Sequence, residues 1–421
     1  LIRIAIATLG CKTNQFESAV ILGQFNEAES ITVPWDEPAD IYIINTCTVT
    51  NRTDYKGRYL IRQALSRKEL NPLAKVVVTG CFAQRSFEEI MSLGAIDLIV
   101  DNQHKLDIAS ILSGAEYQFQ DIMTAREFSF KPVSRMHEHT RAFQKIQDGC
   151  DFYCAYCAVP YARGHNRSAT LSQVIEQAEL LVKAGYKEIV LGGVNLGLYR
   201  DGSHTLLDVV RAMSVIDGLE LIRLSSLEPQ LITHDLIKGL QEIPKFCPHL
   251  HIALQSGCDS VLQRMGRHYG TNDVSILIDK LLDPFPDLAI GFDVITGFPG
   301  ETEQEHQSTL DFLSALPFTY LHVFSYSKRK GTPAATMSNQ VPSDIKAVRS
   351  QQLHALSLAK TETYHKLLLA LNTTLRGIVE THSHDASEFL SDHYLRVQVP
   401  QLITIGDLVS VPAPAALFLL S

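Results

Sequence analysis

Nowhere in the 421 residues is there an apolar run of the roughly eighteen residues that a membrane-crossing helix needs. That absence excludes a transmembrane helix and leaves a composition ordinary for a soluble protein, 45% hydrophobic and 20% charged. Positive charge is scarce as well. The 37 Lys and Arg face 46 Asp and Glu, for a net charge of −9, which argues against a generally basic nucleic-acid binder while leaving room for local patches. The apolar opening Leu1–Ala7 runs into Thr8-Leu9-Gly10-Cys11 without a small-residue cleavage site, so it reads as a first strand rather than a signal peptide. With neither an initiator Met nor an export signal, the expectation is a cytoplasmic chain trimmed by a few residues, with no membrane partner. Cysteine is limited to eight residues, and none form the two separated pairs common in structural zinc sites.

What the cysteines do form is concentrated in Gln147-Asp148-Gly149-Cys150-Asp151-Phe152-Tyr153-Cys154-Ala155-Tyr156-Cys157. The spacing C-x3-C-x2-C lets one loop wrap three thiolates around a single inorganic centre. A buried or disulfide-forming set is the bland alternative, but cytosolic cysteine clusters more often bind metal or catalyse. A 4Fe–4S cluster normally takes four cysteines, so three leave one iron open to a substrate or cofactor. The spacing resembles that of the radical S-adenosylmethionine (SAM) superfamily, in which SAM chelates the open iron. The resemblance places Tyr156 against the adenine of SAM.

The first third alternates strand and helix patterns. Residues 1–8, 40–46 and 75–80 are β-branched runs of buried parallel strands, and helical patterns follow at 15–25, 55–67 and 85–91. This implies a doubly wound parallel sheet, whose ligand crevice lies at the carboxyl ends of the strands. Cys11, Cys47 and Cys81 each follow one of the three strands, so they can converge on a second cluster with three protein ligands. The runs Gly10-Cys11-Lys12-Thr13-Asn14-Gln15, Asn45-Thr46-Cys47-Thr48-Val49-Thr50 and Thr79-Gly80-Cys81-Phe82-Ala83-Gln84 resemble the N-terminal domain of methylthiotransferases, and with the central motif the resemblance covers nearly the whole chain. Gly-Cys-Lys-x-Asn-Gln-x-Glu-Ser is most similar to the branch acting on N6-threonylcarbamoyladenosine in tRNA. The branches acting on isopentenyladenosine and on a ribosomal-protein aspartate tend to carry Gln-Met-Asn and Pro-Lys-Asn there.

Between Arg52 and Lys68 six basic residues stand against only Asp54. Arg58 and Arg62 lie one helical turn apart and share a face, which serves either as a solvated surface or as a phosphate-binding face beside Cys47. Residues 121–140 lose periodicity and read as a linker. His137 and His139 within it have metal-like spacing, but a lone pair in a linker is usually solvated. A second alternation follows, with strands at 142–148, 188–195, 220–227, 249–256, 288–296 and 320–326. Helices fall near 171–184, 205–214, 233–241, 259–265, 272–282 and 302–315. Six such units suggest a partial barrel with its site at the strands' carboxyl ends. Gly192, Gly193 and Asn195, Ser225 and Glu228, Gln255 and Ser256, and Phe298 sit at four successive strand ends; the resemblance makes them SAM-binding elements. Arg267 is a candidate to reach a carboxylate, and Cys247 and Cys258, without motif partners, read as plain thiols. Arg163 and Arg329 lie in basic runs near the barrel mouth, where an anionic substrate would dock, although loop charges are usually just solvated.

A long helix is expected at 342–371, then short strands at 375–379, 394–399 and 407–411. They suggest a small β-barrel, in the position of the RNA-gripping TRAM domain of methylthiotransferases. From Thr373 onward Arg376 and Arg396 face Glu380, Asp385, Glu388, Asp392 and Asp407, a poor balance for phosphate. The apolar tail from Pro412 is expected to dock on the body or to be truncated.

The expectation is therefore an α/β chain in four parts. Residues 1–120 form the N-terminal doubly wound parallel-sheet domain, 121–140 a linker, 141–371 a partial (β/α)6 radical SAM barrel with a trailing helix, and 372–421 the β-barrel. The resemblance implies two 4Fe–4S clusters, one held by Cys11, Cys47 and Cys81 and the other by Cys150, Cys154 and Cys157. It also implies SAM as both methyl donor and radical source, a tRNA anticodon stem-loop as substrate, an electron donor such as flavodoxin or ferredoxin, an unspecified sulfur donor and a monomeric enzyme. The rival readings are methylthiolation of isopentenyladenosine or of a ribosomal-protein aspartate, and a non-catalytic iron–sulfur protein that binds RNA or transfers electrons.

Overall fold

The computed structural model describes residues 1–136 and 139–419. Its first unit contains β1 (Ile2–Thr8), α1 (Lys12–Gly23), β2 (Ser30–Thr32), β3 (Ile41–Thr46), α2 (Asn51–Leu70), β4 (Lys75–Gly80), α3 (Cys81–Arg85) and β5 (Leu98–Val100). The strands are parallel, in the order β2-β1-β3-β4-β5. Every residue of β3 is buried, the reason its run is continuously apolar. Growth of the sheet reverses between β1 and β3, and in doubly wound sheets such a switch point opens the ligand crevice. Cys11 and Cys47 follow these two strands. The edge strands β2 and β5 are only three residues long, too short for periodicity to reveal. The helix expected over 85–91 is broken at Ser86, with α3 before it and a separate turn, Phe87–Met91, after it.

Helix α1 is buried on nearly every side, Phe16, Ala19, Val20, Ile21 and Leu22 included. It lies between its own sheet and the first strand of the barrel, and its apolar residues join the core that fills the barrel unit. Its polar Asn14, Glu17 and Ser18 are buried with them, so each needs a partner inside the protein.

The barrel consists of β6 (Ala142–Lys145), β7 (Glu188–Gly192), β8 (Leu221–Leu224), β9 (His249–Gln255), β10 (Ala289–Thr296) and β11 (Tyr320–Ser325). Two parallel three-stranded sheets, β6-β7-β8 and β9-β10-β11, are joined by single bridges at Ile222–Phe246 and Leu227–Ile252. Around them run α4 (Val159–Arg163), α5 (Leu171–Lys183), α6 (Leu206–Ser214), α7 (His234–Gln241), α8 (Thr271–Leu282), α9 (Glu303–Ala315) and α10 (Ser343–Leu371).

Residues 121–136 are no loose connector. Ile122, Val133 and Met136 are buried, and Gln177 on α5 binds the Val133 backbone at 2.9 and 2.6 Å. His137 lies outside the described residues; the His139 ring packs 5.1 Å from that of Phe143.

The C-terminal segment forms a curled antiparallel sheet of β12 (Thr374–Ser383), β13 (Ala386–Ser391), β14 (Arg396–Val399), β15 (Leu408–Pro412) and β16 (Leu417–Phe418), ordered β15-β12-β13-β14-β16. The tail thus enters the sheet through β16. The strand β13 escaped the sequence reading because its residues, Ala-Ser-Glu-Phe-Leu-Ser, carry little β-branching. The sheet caps the amino ends of the barrel strands, opposite the cysteine loop. Arg223 on β8 donates to the carbonyls of Ser391 and Asp392 at 3.0 and 3.1 Å. Lys187 meets Asp407 at 2.7 Å and Arg141 meets Glu380 at 2.8 Å. Arg376 and Arg396, the two cations of a segment whose charge balance is poor for phosphate, are paired with Asp392 and Glu380.

Candidate iron–sulfur and SAM site

The three N-terminal cysteines sit at or just before helix starts. Cys11 is the residue before α1, Cys47 precedes the Thr50-capped start of α2, and Cys81 opens α3. Gly10 adopts φ +97°, and a Cβ on it would lie 2.6 Å from the Cys47 Cβ, so only glycine lets the β1 end approach this closely. Burial, with Cys81 and Cys11 close by, pushes the Cys47 thiol up to about 12. Three thiols gathered this closely form a donor set that suits a polynuclear cation.

The central loop repeats this chemistry. Burial, then Cys154 and Cys150, pushes the Cys157 thiol up to about 12. Gly149, at φ +71°, lies against the His165 carbonyl so closely that a Cβ would sit 1.9 Å from its oxygen. Ala155 N–H donates to the Met265 carbonyl at 2.8 Å, tying the loop to the region after β9. Arg267 donates to Cys154 Sγ at 3.0 Å and to Tyr269 Oη at 2.9 Å, and it pairs with Glu228. Tyr156 lies 3.5 Å from the same guanidinium.

The strand-end residues divide into three groups. Asn195 Oδ1 and Ser225 Oγ are buried with no hydrogen-bond partner, and the Asn195 amide nitrogen lies 3.8 Å from Cys150 Sγ. Orphaned polar atoms beside the cysteine loop fit a polar cofactor such as SAM. Gln255 has φ +70°, a sparsely populated backbone of the kind held at functional sites. The others have their contacts within the chain. A Cβ on Gly193 would meet Gln147 Oε1 at 2.7 Å, and Gly192 has ordinary space. Ser256 Oγ is spent on Thr309 and the Cys258 N–H. Phe298 is fully buried among Ala155, Val261, Met265 and Tyr326, beneath the loop.

Two expected substrate cations are placed differently. Arg163 is only 2% exposed; it binds Glu17 at 3.0 Å, Asp148 at 2.9 Å and Asn14 at 2.6 Å. Lys105 and Lys145 meet the same Glu17 at 2.6 and 2.8 Å. Despite burial, these cations hold the Glu17 carboxyl well below its ordinary range. Arg329, buried likewise, binds Asp54, Thr48 Oγ1 at 2.7 Å and Asn51 Oδ1 at 2.6 Å at the start of α2. Both are clamps between the N-terminal sheet and the barrel, because a buried guanidinium requires full pairing. Arg58 pairs with Glu89 at 2.9 Å and leans on Phe82, whereas Arg62 is exposed.

These clamps bring the two cysteine sets together. Helix α4, just after Cys157, packs on α3, which begins at Cys81. Half-buried Arg85, at the end of α3, donates to the Lys330 carbonyl and lies within electrostatic reach of both Cys157 and Cys81. Asn102 Nδ2 bonds the Ala162 carbonyl at 2.6 Å and lies 3.9 Å from Cys81 Sγ. Neither residue was singled out from sequence; the signal for Asn102 is its place after the short apolar run of β5.

Residues 3–101 match the family described as uncharacterized protein family UPF0004, and residues 145–313 match the radical SAM superfamily. The threonylcarbamoyladenosine tRNA methylthiotransferase MtaB of Bacillus subtilis is 39% identical over 408 residues, 94% of this chain and 89% of that protein. The protein of the same name from Aquifex aeolicus is 34% identical over 97% of this chain and 99% of its own length. The chain belongs to the radical SAM methylthiotransferase family. The ribosomal protein uS12 methylthiotransferase RimO of Desulfitobacterium hafniense is 33% identical, over 97% of this chain and 95% of its own. Among solved structures, the radical SAM methyltransferase TsrM from Kitasatospora setae superposes with a TM-score of 0.59 at 14% identity, over 79% of this chain and 76% of its own. At that identity the likeness is one of fold. In a methylthiotransferase of this superfamily the cofactors are 4Fe–4S clusters and SAM, and two sets of three cysteines fit two clusters, each with one iron left to an outside ligand.

Proposed function

We propose that the chain methylthiolates N6-threonylcarbamoyladenosine beside the anticodon of tRNA, working in the cytoplasm as a monomer with a flavodoxin- or ferredoxin-like electron donor. The observation that carries this reading is the meeting of the two three-cysteine sites where α4, just after Cys157, packs on α3, which begins at Cys81, with Arg85 within electrostatic reach of both these cysteines. The relatives carrying the tRNA methylthiotransferase name, matched over nearly the full length, support the substrate. When bound, the clusters and SAM supply reductive SAM cleavage and the methylthio group. The chain's own residues do the positioning. Cys150, Cys154 and Cys157 would hold one cluster, with Arg267 compensating charge at Cys154. Asn195 and Ser225 offer unpaired polar atoms to SAM, with Tyr156 beside Arg267. Cys11, Cys47 and Cys81 would hold the second cluster, with Asn102 against Cys81.

Anaerobic reconstitution should load about eight irons per chain. Replacing Cys150, Cys154 and Cys157 with Ala should abolish formation of 5′-deoxyadenosine. Replacing Cys11, Cys47 and Cys81 should leave that cleavage in place and stop the 2-methylthio product, read by nucleoside mass spectrometry. Four irons after full reconstitution, or product from the second variant, would remove the reading.

A further inference from the structure

Six barrel strands point alternate side chains into one lumen, and a polar cluster there has no part in holding either cysteine site. On β9, β10 and β11, the ligand atoms of His251, Asp293 and His322 lie within 4.8 Å of one another. His251 Nε2 is 2.8 Å from Asp293 Oδ1, and His322 Nδ1 is 3.5 Å from the same oxygen. The other nitrogen of His251 is fixed by Tyr320 Oη at 3.0 Å, and Tyr320 also meets His249 Nε2 at 2.8 Å. His251 is only 5% exposed, and the Asp293 carboxylate it meets through Nε2 is shared with His322. Two imidazoles gathered on one carboxylate, with His322 open to solvent, make a polar donor and acceptor set that a ligand entering the lumen can meet.

The surroundings indicate where the cluster faces. Toward the SAM site, Asp293 lies within electrostatic reach of Tyr269, which binds Arg267 beside Cys154. Toward the floor, His249 is within reach of Lys12, whose ammonium lies 5.8 Å from the Phe143 ring and from the Tyr394 ring of the C-terminal segment. The triad therefore lies along the lumen between the Cys154 side and the floor formed by the C-terminal segment. It is also open to entry. The His322 side chain is 45% exposed, and Phe324, next on the same face of β11, is 44% exposed and offers a flat apolar surface.

We propose that His251, Asp293 and His322 form the subsite that reads the polar N6 substituent of the substrate adenosine, with the base resting toward Phe324. This deepens the proposed function and rests on it. A threonylcarbamoyl group carries a hydroxyl, a carboxylate, a urea N–H and a carbonyl. Imidazole nitrogens suit its acidic and carbonyl oxygens, and the Asp293 carboxylate suits its hydroxyl or N–H donors. An isopentenyl group would offer these polar side chains no hydrogen-bond partner. A site that hydrogen-bonds a substituent rejects analogues lacking it far more strongly than an apolar pocket rejects an extra group.

The test compares the binding of two anticodon stem-loop RNAs to anaerobic holoenzyme with SAM. One carries threonylcarbamoyladenosine and the other unmodified adenosine. Wild-type protein should favour the modified loop by about tenfold or more, and His322→Gln and Asp293→Asn should each bring that ratio toward one. His322 is exposed enough that its replacement is compatible with folding. No wild-type preference, an unchanged ratio in the variants, or equal weakening toward both loops in His322→Gln would overturn the proposal. So would a stoichiometric divalent ion, beyond cluster iron, that Asp293→Asn loses, since the triad would then be a metal site. The binding ratio needs no turnover, so failure to form a 2-methylthio product would count against the proposed reaction and not against this subsite.

Discussion

Arg163 shows how one side chain changes meaning between sequence and structure. In sequence it stands in Tyr-Ala-Arg-Gly-His-Asn-Arg, a basic loop at a barrel mouth. In the fold it is enclosed by Glu17, Asp148 and Asn14. Arg163→Ala leaves Glu17 and Asp148 with less compensating charge in the interior, which costs about 3–5 kcal/mol for a broken buried pair. Urea unfolding should register this loss. A raised KM for tRNA at unchanged stability would instead make Arg163 a substrate contact. The same network explains the run Gly10–Ser18. Asn14 bonds the carbonyls of Leu9 and Thr46 at 2.7 and 3.0 Å, and Ser18 accepts from Thr8 at 2.7 Å and Asn45 at 3.0 Å. The cysteines were legible because a thiolate set at fixed spacing has few other uses. The lumen triad was not, since its members lie on three strands, 71 residues apart between the first and the last (322 − 251), and no local spacing connects them.

Among the elements, the C-terminal sheet departs most from its sequence expectation. Its strands were largely legible from alternation and its acidity from composition, but its role as the floor of the barrel was not. Contacts such as Arg223 to the Ser391 carbonyl depend on tertiary placement alone. Deleting 373–421 would uncover that floor, so truncation does not isolate RNA binding. His393 joins the sheet to the barrel, 2.8 Å from Asp392 and 3.3 Å from Asp287. Burial alone would lower its pKa, but the hydrogen bonds and charge of Asp287 and Asp392 outweigh it and the pKa is raised. A raised folded pKa gives stability that is fully present below the ordinary histidine value of about 6.5 and is lost as pH climbs through the folded value. The gap in Tm between wild type and His393→Gln should therefore narrow on going from about pH 6 to about pH 9. A constant gap would mean that the histidine contributes by packing rather than by charge.

At the scale of the whole molecule, the question is how an acidic protein holds a polyanion. The inner face of α2, with Asp54, Gly57, Ile61 and Ala64, is buried. The opposite face presents Arg52, Tyr55, Lys56, Tyr59 and Arg62 to solvent. Cations interleaved with exposed rings suit RNA, since phosphates meet the charge and unpaired bases stack on the aromatics. Arg58, Arg67 and Lys68 are occupied by Glu89, the Trp35 carbonyl and Asp97, so the relevant set is narrower than the sequence run. Reversing Arg52, Lys56 and Arg62 to Glu should weaken tRNA binding and flatten its salt dependence by about 0.7–0.9 in slope per lost phosphate contact. Filter binding across a salt series would read this, and wild-type affinity and slope would move the grip elsewhere.

The ion network around Glu17 also bears on how such an enzyme can be recombined. Residues 1–101 look like a portable module, since one family model covers nearly that stretch. Yet Lys105, Lys145 and Arg163, all outside it, converge on a single carboxylate inside it. A chimera whose first hundred residues came from a donor without an acid at position 17 would bury three cations around a neutral side chain. Grafting the sulfur-delivering half from one enzyme onto the radical-generating half of another is thus a matter of matching charges across the seam.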